Sequence, residues 1–211
     1  MQQALIIASI LGALAVGVVS PGPSFVLVAR VSVAVSRRDG VAAALGMGIG
    51  GVMFAGLALL GLQAVLISLP WLYTAVRVLG GMYLFYLAVM LWRGAREPIA
   101  LSDATAPTAA AGRSFWLGLS TQLSNPKTTI VYAGVFAALL PADVPLWLFA
   151  VLPPLIFLLE AGWYAVVAVA FSAARPRAAY LRAKVWIDRL AGAVIGALGL
   201  RLLYDAVRRS P

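Results

Sequence analysis

The chain has 211 residues, 63% hydrophobic and 11% charged, with 16 Lys and Arg against 7 Asp and Glu for a formal net charge of +9. A soluble domain carries about 25% charged residues, so a soluble enzyme, a large extramembrane domain and a disordered chain are all excluded. Cysteine and histidine are absent, which removes disulfides, thiol redox chemistry, imidazole or thiolate metal sites and every enzyme mechanism that needs either residue. No cofactor and no metal are expected.

A spanning helix takes about 20 apolar residues, and the composition fits six of them. The first apolar run covers about residues 4–29 and closes at Arg30 and Arg37-Arg38-Asp39-Gly40. It lacks the basic start of a signal peptide, which argues for a retained span. The second covers 41–66 and ends at the turn Ser68-Leu69-Pro70, since the residue before a proline is pushed out of the helical region. The third covers 71–92 and closes at Arg93 and Arg96. Residues 97–113, rich in Ala, Thr, Ser and Pro, read as a cytoplasmic linker. The fourth run covers 114–140, the fifth 145–173 with Arg175, Arg177, Arg182 and Lys184 behind it, and the sixth 186–207. Continuous apolar runs of this length are helices and not barrel strands, because each must satisfy its own backbone in lipid. The expected fold is an all-α integral membrane protein.

Basic residues crowd the first, third and fifth loops and are missing from the second and fourth. Lys and Arg bias in short loops sets orientation, so the odd loops are cytoplasmic and both termini external. Arg208 and Arg209 oppose this at the C-terminus. Residues 1–96 and 114–211 then read as two three-helix repeats of opposite orientation. Ser20-Pro21-Gly22-Pro23 in span one and Ser124-Asn125-Pro126 in span four put helix breakers at matching places. Arg77 to Gly81 and Arg189 to Gly192 open spans three and six alike. A proline inside a span frees a carbonyl of the preceding turn, and broken spans are tolerated where they are buried or line a cavity. In transporters, paired breaks of this kind mark the substrate site; the alternative is a kink that improves packing.

Charges deep in spans are few. Arg77 and Arg189 lie near span ends, where they anchor by snorkelling. Glu160 and Lys127 lie near the middle of spans five and four, where a charge costs on the order of 3 kcal/mol. With no histidine, Glu160 is the candidate for proton coupling. Lys127 suits a substrate carboxylate, and Asn125 offers donor and acceptor to a zwitterion. Ser20, Ser24 and Ser124 can add hydroxyls, although a serine in a span can also bond back to its own helix. A Lys127–Glu160 ion pair that only fixes packing is the alternative. Trp163 lines a cavity or fills the core. Gly46, Gly48, Gly50, Gly51 and Gly56 allow close helix approach, and Trp71, Trp92, Trp116, Trp147 and Trp186 form an interfacial belt.

These residues resemble the LysE/RhtB family of amino-acid exporters. The resemblance lies in Ser20-Pro21-Gly22-Pro23-Ser24, Arg37-Arg38-Asp39-Gly40, the glycines of Leu45 to Gly50, Phe115-Trp116-Leu117-Gly118, Asn125-Pro126-Lys127, Pro141, and Glu160 with Trp163-Tyr164. It covers nearly the whole chain. Two features depart from the family pattern: no histidine stands in span two, and Leu139-Leu140-Pro141 closes span four. The resemblance implies a multi-pass exporter of the bacterial cytoplasmic membrane, moving amino acids or small derivatives against protons. The substrate-binding set is then Ser20, Pro21, Gly22, Pro23, Ser24, Asn125, Pro126, Lys127 and Trp163. Partners are an amino-acid-like zwitterion, protons and membrane lipids, with no nucleic acid; a homodimer is left open. Against this stand a metal-ion or other small-solute exporter, for which one midplane Glu supplies too few ligands, a lipid-modifying membrane enzyme, for which no clustered acids or metal-phosphate motif exist, and a structural subunit, which has no use for broken helices. No nucleotide-binding loop is present.

Overall fold

The computed structural model describes residues 2–68, 70–98, 111–141 and 144–208. They form eight α-helices: α1 Gln2–Val19, α2 Pro23–Ala34, α3 Arg37–Ser68, α4 Pro70–Gly94, α5 Ala111–Ser124, α6 Pro126–Leu139, α7 Leu146–Phe171 and α8 Ala174–Arg208. The turn residue Leu69, residues 99–110 of the linker and Asp143 lie outside the described residues, as does the Arg77 side chain.

Among the described residues, α3, α7 and α8 are long and apolar enough to cross a membrane, and α1 with α2 forms a fourth candidate bent by 56° at its break. At 1.5 Å per residue, α5 and α6 are each about 21 Å long, short of a hydrocarbon core of about 30 Å. The outward side chains are apolar: Leu57, Leu60, Leu79, Leu158 and Leu190 are all largely exposed. In water this would be a large unsatisfied surface; in a bilayer it is the lipid-facing one.

Two expected boundaries shift. The chain at 174–185, expected as the fifth loop, is helical, and the last helix begins at Ala174. The reason is amphipathicity. Arg175 and Arg182 point outward, while Tyr180, Lys184 and Asp188, one turn apart, face inward and continue into the buried row Ala191, Ile195, Gly199 and Leu202. Pro176 is harmless there, since the first turn of a helix needs no N–H donors. Residues 111–113 of the expected linker already belong to α5.

Helix packing rests on glycine. Lipid gives little hydrophobic push between helices, so close backbone approach by small residues does the work. Where α4 meets α8, a Cβ on Gly81 would stand 2.9 Å from the Gly199 carbonyl oxygen, and one on Gly199 would stand 2.7 Å from the Gly81 carbonyl oxygen. Where α3 meets α5, a Cβ on Gly46 would strike the Phe115 carbonyl and one on Gly118 the Ala43 carbonyl. The remaining core has two parts. One surrounds Leu14, Leu84, Tyr132, Phe136, Leu148 and Ile156. The other holds Phe25, Met47, Val167 and Phe171, with Phe25 stacked on Tyr180 at 4.7 Å and edge-on to Phe171 at 5.3 Å.

Candidate functional site

Both helix breaks follow from proline, and each is satisfied differently. Pro23 has no N–H for the Val19 carbonyl four residues back; that carbonyl accepts instead from the Tyr180 hydroxyl at 3.1 Å. Ser20 ends its helix, and its carbonyl accepts from Lys127 Nζ at 2.8 Å. At the second break Asn125 caps α6, its side-chain oxygen accepting from the Lys127 amide at 3.0 Å, with Pro126 at the first helical position.

The two breaks meet. Asn125 Nδ2 donates to Ser24 Oγ at 2.8 Å. Ser24 Oγ donates to Gln122 Oε1 at 2.6 Å, and Gln122 Nε2 donates to Glu160 Oε2 at 3.0 Å. The other oxygen of Glu160, Oε1, accepts from the Tyr132 hydroxyl at 2.8 Å. All five residues are buried, Glu160 to 1% exposure. The row thus runs without interruption from the second break to the mid-helix carboxylate. The Lys127–Glu160 ion pair considered above is not formed: the ammonium goes to Ser20, and each carboxylate oxygen has another donor. Gly51 makes room for this, since a Cβ there would stand 2.9 Å from Tyr132 Oη and 3.0 Å from Glu160 Cγ.

Around this row lies an inner chamber of about 20 Å³, bordered by Ser20, Gly22, Ser24, Asn125, Lys127, Tyr132, Glu160 and Tyr164. That is room for about one water molecule. Beside it lies a cleft of about 570 Å³, within the size range of small-molecule sites. Pro21, Pro23, Pro126, Tyr83, Lys184 and Asp188 line the cleft, together with Arg30 and Glu97. Gly22, Asn125 and Lys127 border both spaces and form the wall between them. The Lys127 side chain lies against Gly22, whose absent Cβ would stand 3.2 Å from Lys127 Cδ.

The expected site residues are therefore divided. Ser20, Gly22, Ser24, Asn125, Lys127 and Glu160 border the chamber, and the three prolines border the cleft. Ser124 is not among them: it is exposed, and its hydroxyl bonds back to the Ser120 carbonyl at 2.7 Å. Trp163 packs against the core around Phe25 and Met47, while its neighbour Tyr164 borders the chamber. Four polar residues were missed: Gln122, Tyr132, Tyr164 and Asp188. Tyr164 stands four residues after Glu160, the same-face spacing of a helix. Asp188 falls inside the sixth span as read from the sequence, and its spacing of four from Lys184 puts both on one helix face.

A family model described as LysE type translocator matches residues 15–206. The threonine efflux protein of Salmonella typhi is 37% identical over 196 residues, covering 90% of this chain and 93% of that protein. The threonine efflux protein of Escherichia coli K12 is 37% identical over 193 residues, with the same coverage. A leucine efflux protein of Klebsiella pneumoniae is 34% identical over 117 residues, covering 55% of this chain and 54% of that protein. No solved structure matches the chain.

Proposed function

The chain belongs to the LysE type translocator family, and from that premise we propose that it is a secondary transporter exporting an amino acid or small derivative, threonine first among candidates, in exchange for protons. The observation that carries this is the junction of the two helix breaks at Ser24 and Asn125 beside Lys127 and the buried Glu160. A kink serving packing alone has no use for a half-buried ammonium and a buried carboxylate on either side of it.

The six-span arrangement with two inverted repeats is part of the same reading. Each half supplies a broken helix followed by two long ones. In the same reading α1 lies against α6 and α2 against α5, while α3 pairs with α7 and α4 with α8. The basic residues Arg37, Arg38, Arg93 and Arg175 flank the odd-numbered loops of this arrangement, which the reading assigns to the cytoplasmic side of a bacterial inner membrane. The cleft then opens inward and receives substrate from the cytoplasm.

In this mechanism the wall of Gly22, Asn125 and Lys127 separates the arriving substrate from Glu160. Lys127 attracts the substrate carboxylate, and Asn125 offers its amide to either end of the zwitterion. The chamber is too small for an amino acid, so passage requires the two broken helices to part. That is the step expected to alternate access between the two faces. Glu160 takes a proton from the outer side as substrate leaves there and releases it to the cytoplasm before the next substrate binds. The inward proton gradient thereby drives outward export.

The test is efflux from proteoliposomes loaded with a panel of amino acids, with and without an imposed pH gradient. Threonine efflux stimulated by protons supplied from the receiving side is the expected result. No efflux of any amino acid, or efflux indifferent to pH gradient, overturns the corresponding part of the reading.

A further inference from the structure

We propose that Asp188 receives the ammonium group of the exported amino acid at the inner end of the cleft, while Lys127 receives its carboxylate. This rests on reading the chain as an amino-acid exporter.

Asp188 is 3% exposed, yet it borders the cleft together with Lys127. Its Oδ1 accepts from Ser20 Oγ at 3.1 Å and its Oδ2 from Lys184 Nζ at 2.8 Å. An ionised carboxylate has about four lone-pair sites, so two remain for a further donor. Lys184 is the salt-bridge partner of Asp188 and spends one of its three donors on it. Its Nζ also donates to the Gly94 carbonyl at 3.2 Å and the Ala95 carbonyl at 3.0 Å, which uses all three of its donors and caps the end of α4 with a cation. Lys184 is thus a closed unit of packing. Asp188 is not.

Ser20 sets the geometry. Its carbonyl holds Lys127 Nζ and its hydroxyl holds Asp188, so one residue separates a cation from an anion. An α-amino acid carries carboxylate and ammonium on a single carbon, and that short dipole matches opposed charges held across a single residue. The cleft wall of Leu87, Met90 and Leu91 with Tyr83 then meets the side chain, which favours small, neutral substrates. Lys127 alone would accept any carboxylic acid; Asp188 makes the amine a requirement.

The experiment uses full-length protein in proteoliposomes, measuring exchange of labelled threonine. It is competed with unlabelled threonine or with 3-hydroxybutanoate, which keeps carboxylate and hydroxyl but lacks the amine. Wild-type protein is expected to prefer threonine by about tenfold or more, since the competitor lacks the charged donor that Asp188 accepts from. Asp188→Asn should compress that preference towards parity. Lys184→Met frees Asp188 Oδ2 and should hold or widen it. An unchanged preference in Asp188→Asn overturns the assignment, and so does a narrowed preference in Lys184→Met, which remains decisive if Asp188→Asn does not fold. Absence of threonine exchange by wild-type protein overturns the exporter reading instead.

Discussion

Replacing Glu160 by Gln keeps the side chain's shape and removes its proton. The contacts limit the structural cost. The new amide oxygen still accepts from Tyr132, while its NH2 faces Gln122 Nε2, donor against donor. Turning the Gln122 amide over relieves that contact and removes the acceptor used by the Ser24 hydroxyl. One buried hydrogen bond is lost, about 1–3 kcal/mol, against a typical stability of about 5–15 kcal/mol. Lys127 is not stranded, because its ammonium rests on the Ser20 carbonyl. The variant should therefore fold without a compensating change at Lys127. Its transport is another matter. One pH unit corresponds to 1.36 kcal/mol per proton, so a one-for-one exchanger sustains about a tenfold substrate gradient per unit. In proteoliposomes with a one-unit gradient, wild-type protein should reach that ratio and Glu160→Gln should settle at parity while still exchanging labelled for unlabelled substrate. A well-folded Glu160→Gln protein that sustains the tenfold ratio would refute Glu160 as the coupling group.

Cysteines at Ser24 and Asn125, in a chain with no native cysteine, should crosslink with a short reagent, whereas one at the exposed Ser124 paired with Ser24 should react poorly; equal yields on gels contradict the junction. Gly118→Ala drives a Cβ into the Ala43 backbone and should cost about 1–3 kcal/mol, read as a lower midpoint of thermal aggregation, while Gly162→Ala, with open space around it, should leave the midpoint in place. Single cysteines at Arg38 or Arg175 should resist impermeant reagent added to intact cells, and one at Leu146 should react; the opposite pattern reverses the orientation.

What could be read from the residues depended on range. Helix identity came from apolar length, and the breaks from Pro21-Gly22-Pro23 and Asn125-Pro126, because proline acts on its own neighbours. Glu160 and Lys127 stood out because charge is rare in such a chain. The partners did not. Gln122 and Tyr132 are ordinary residues for a helix, and they become part of a row only because α5, α6 and α7 bring them to Glu160. Serine shows the same limit: Ser24 turns to a residue 101 positions away and Ser124 to its own helix, a difference set by which face each presents. The chain around Arg177 and Arg182 reads as a loop by its charge, so the face that Lys184 and Asp188 share shows only in their helical spacing. Its helical periodicity carried more information than its charge.

The carbonyls left open by the first break are filled by groups made much later. Ser20 waits for Lys127, 107 residues on, and Val19 for Tyr180, 161 residues on. At about 5–20 residues per second of synthesis, those donors emerge several seconds to half a minute after their acceptors. Lipid offers neither carbonyl a substitute, and each one unmet costs several kcal/mol. The bend between α1 and α2 is therefore finished during biogenesis only when the second half arrives. A chain that stops after residue 96 leaves both acceptors without these donors.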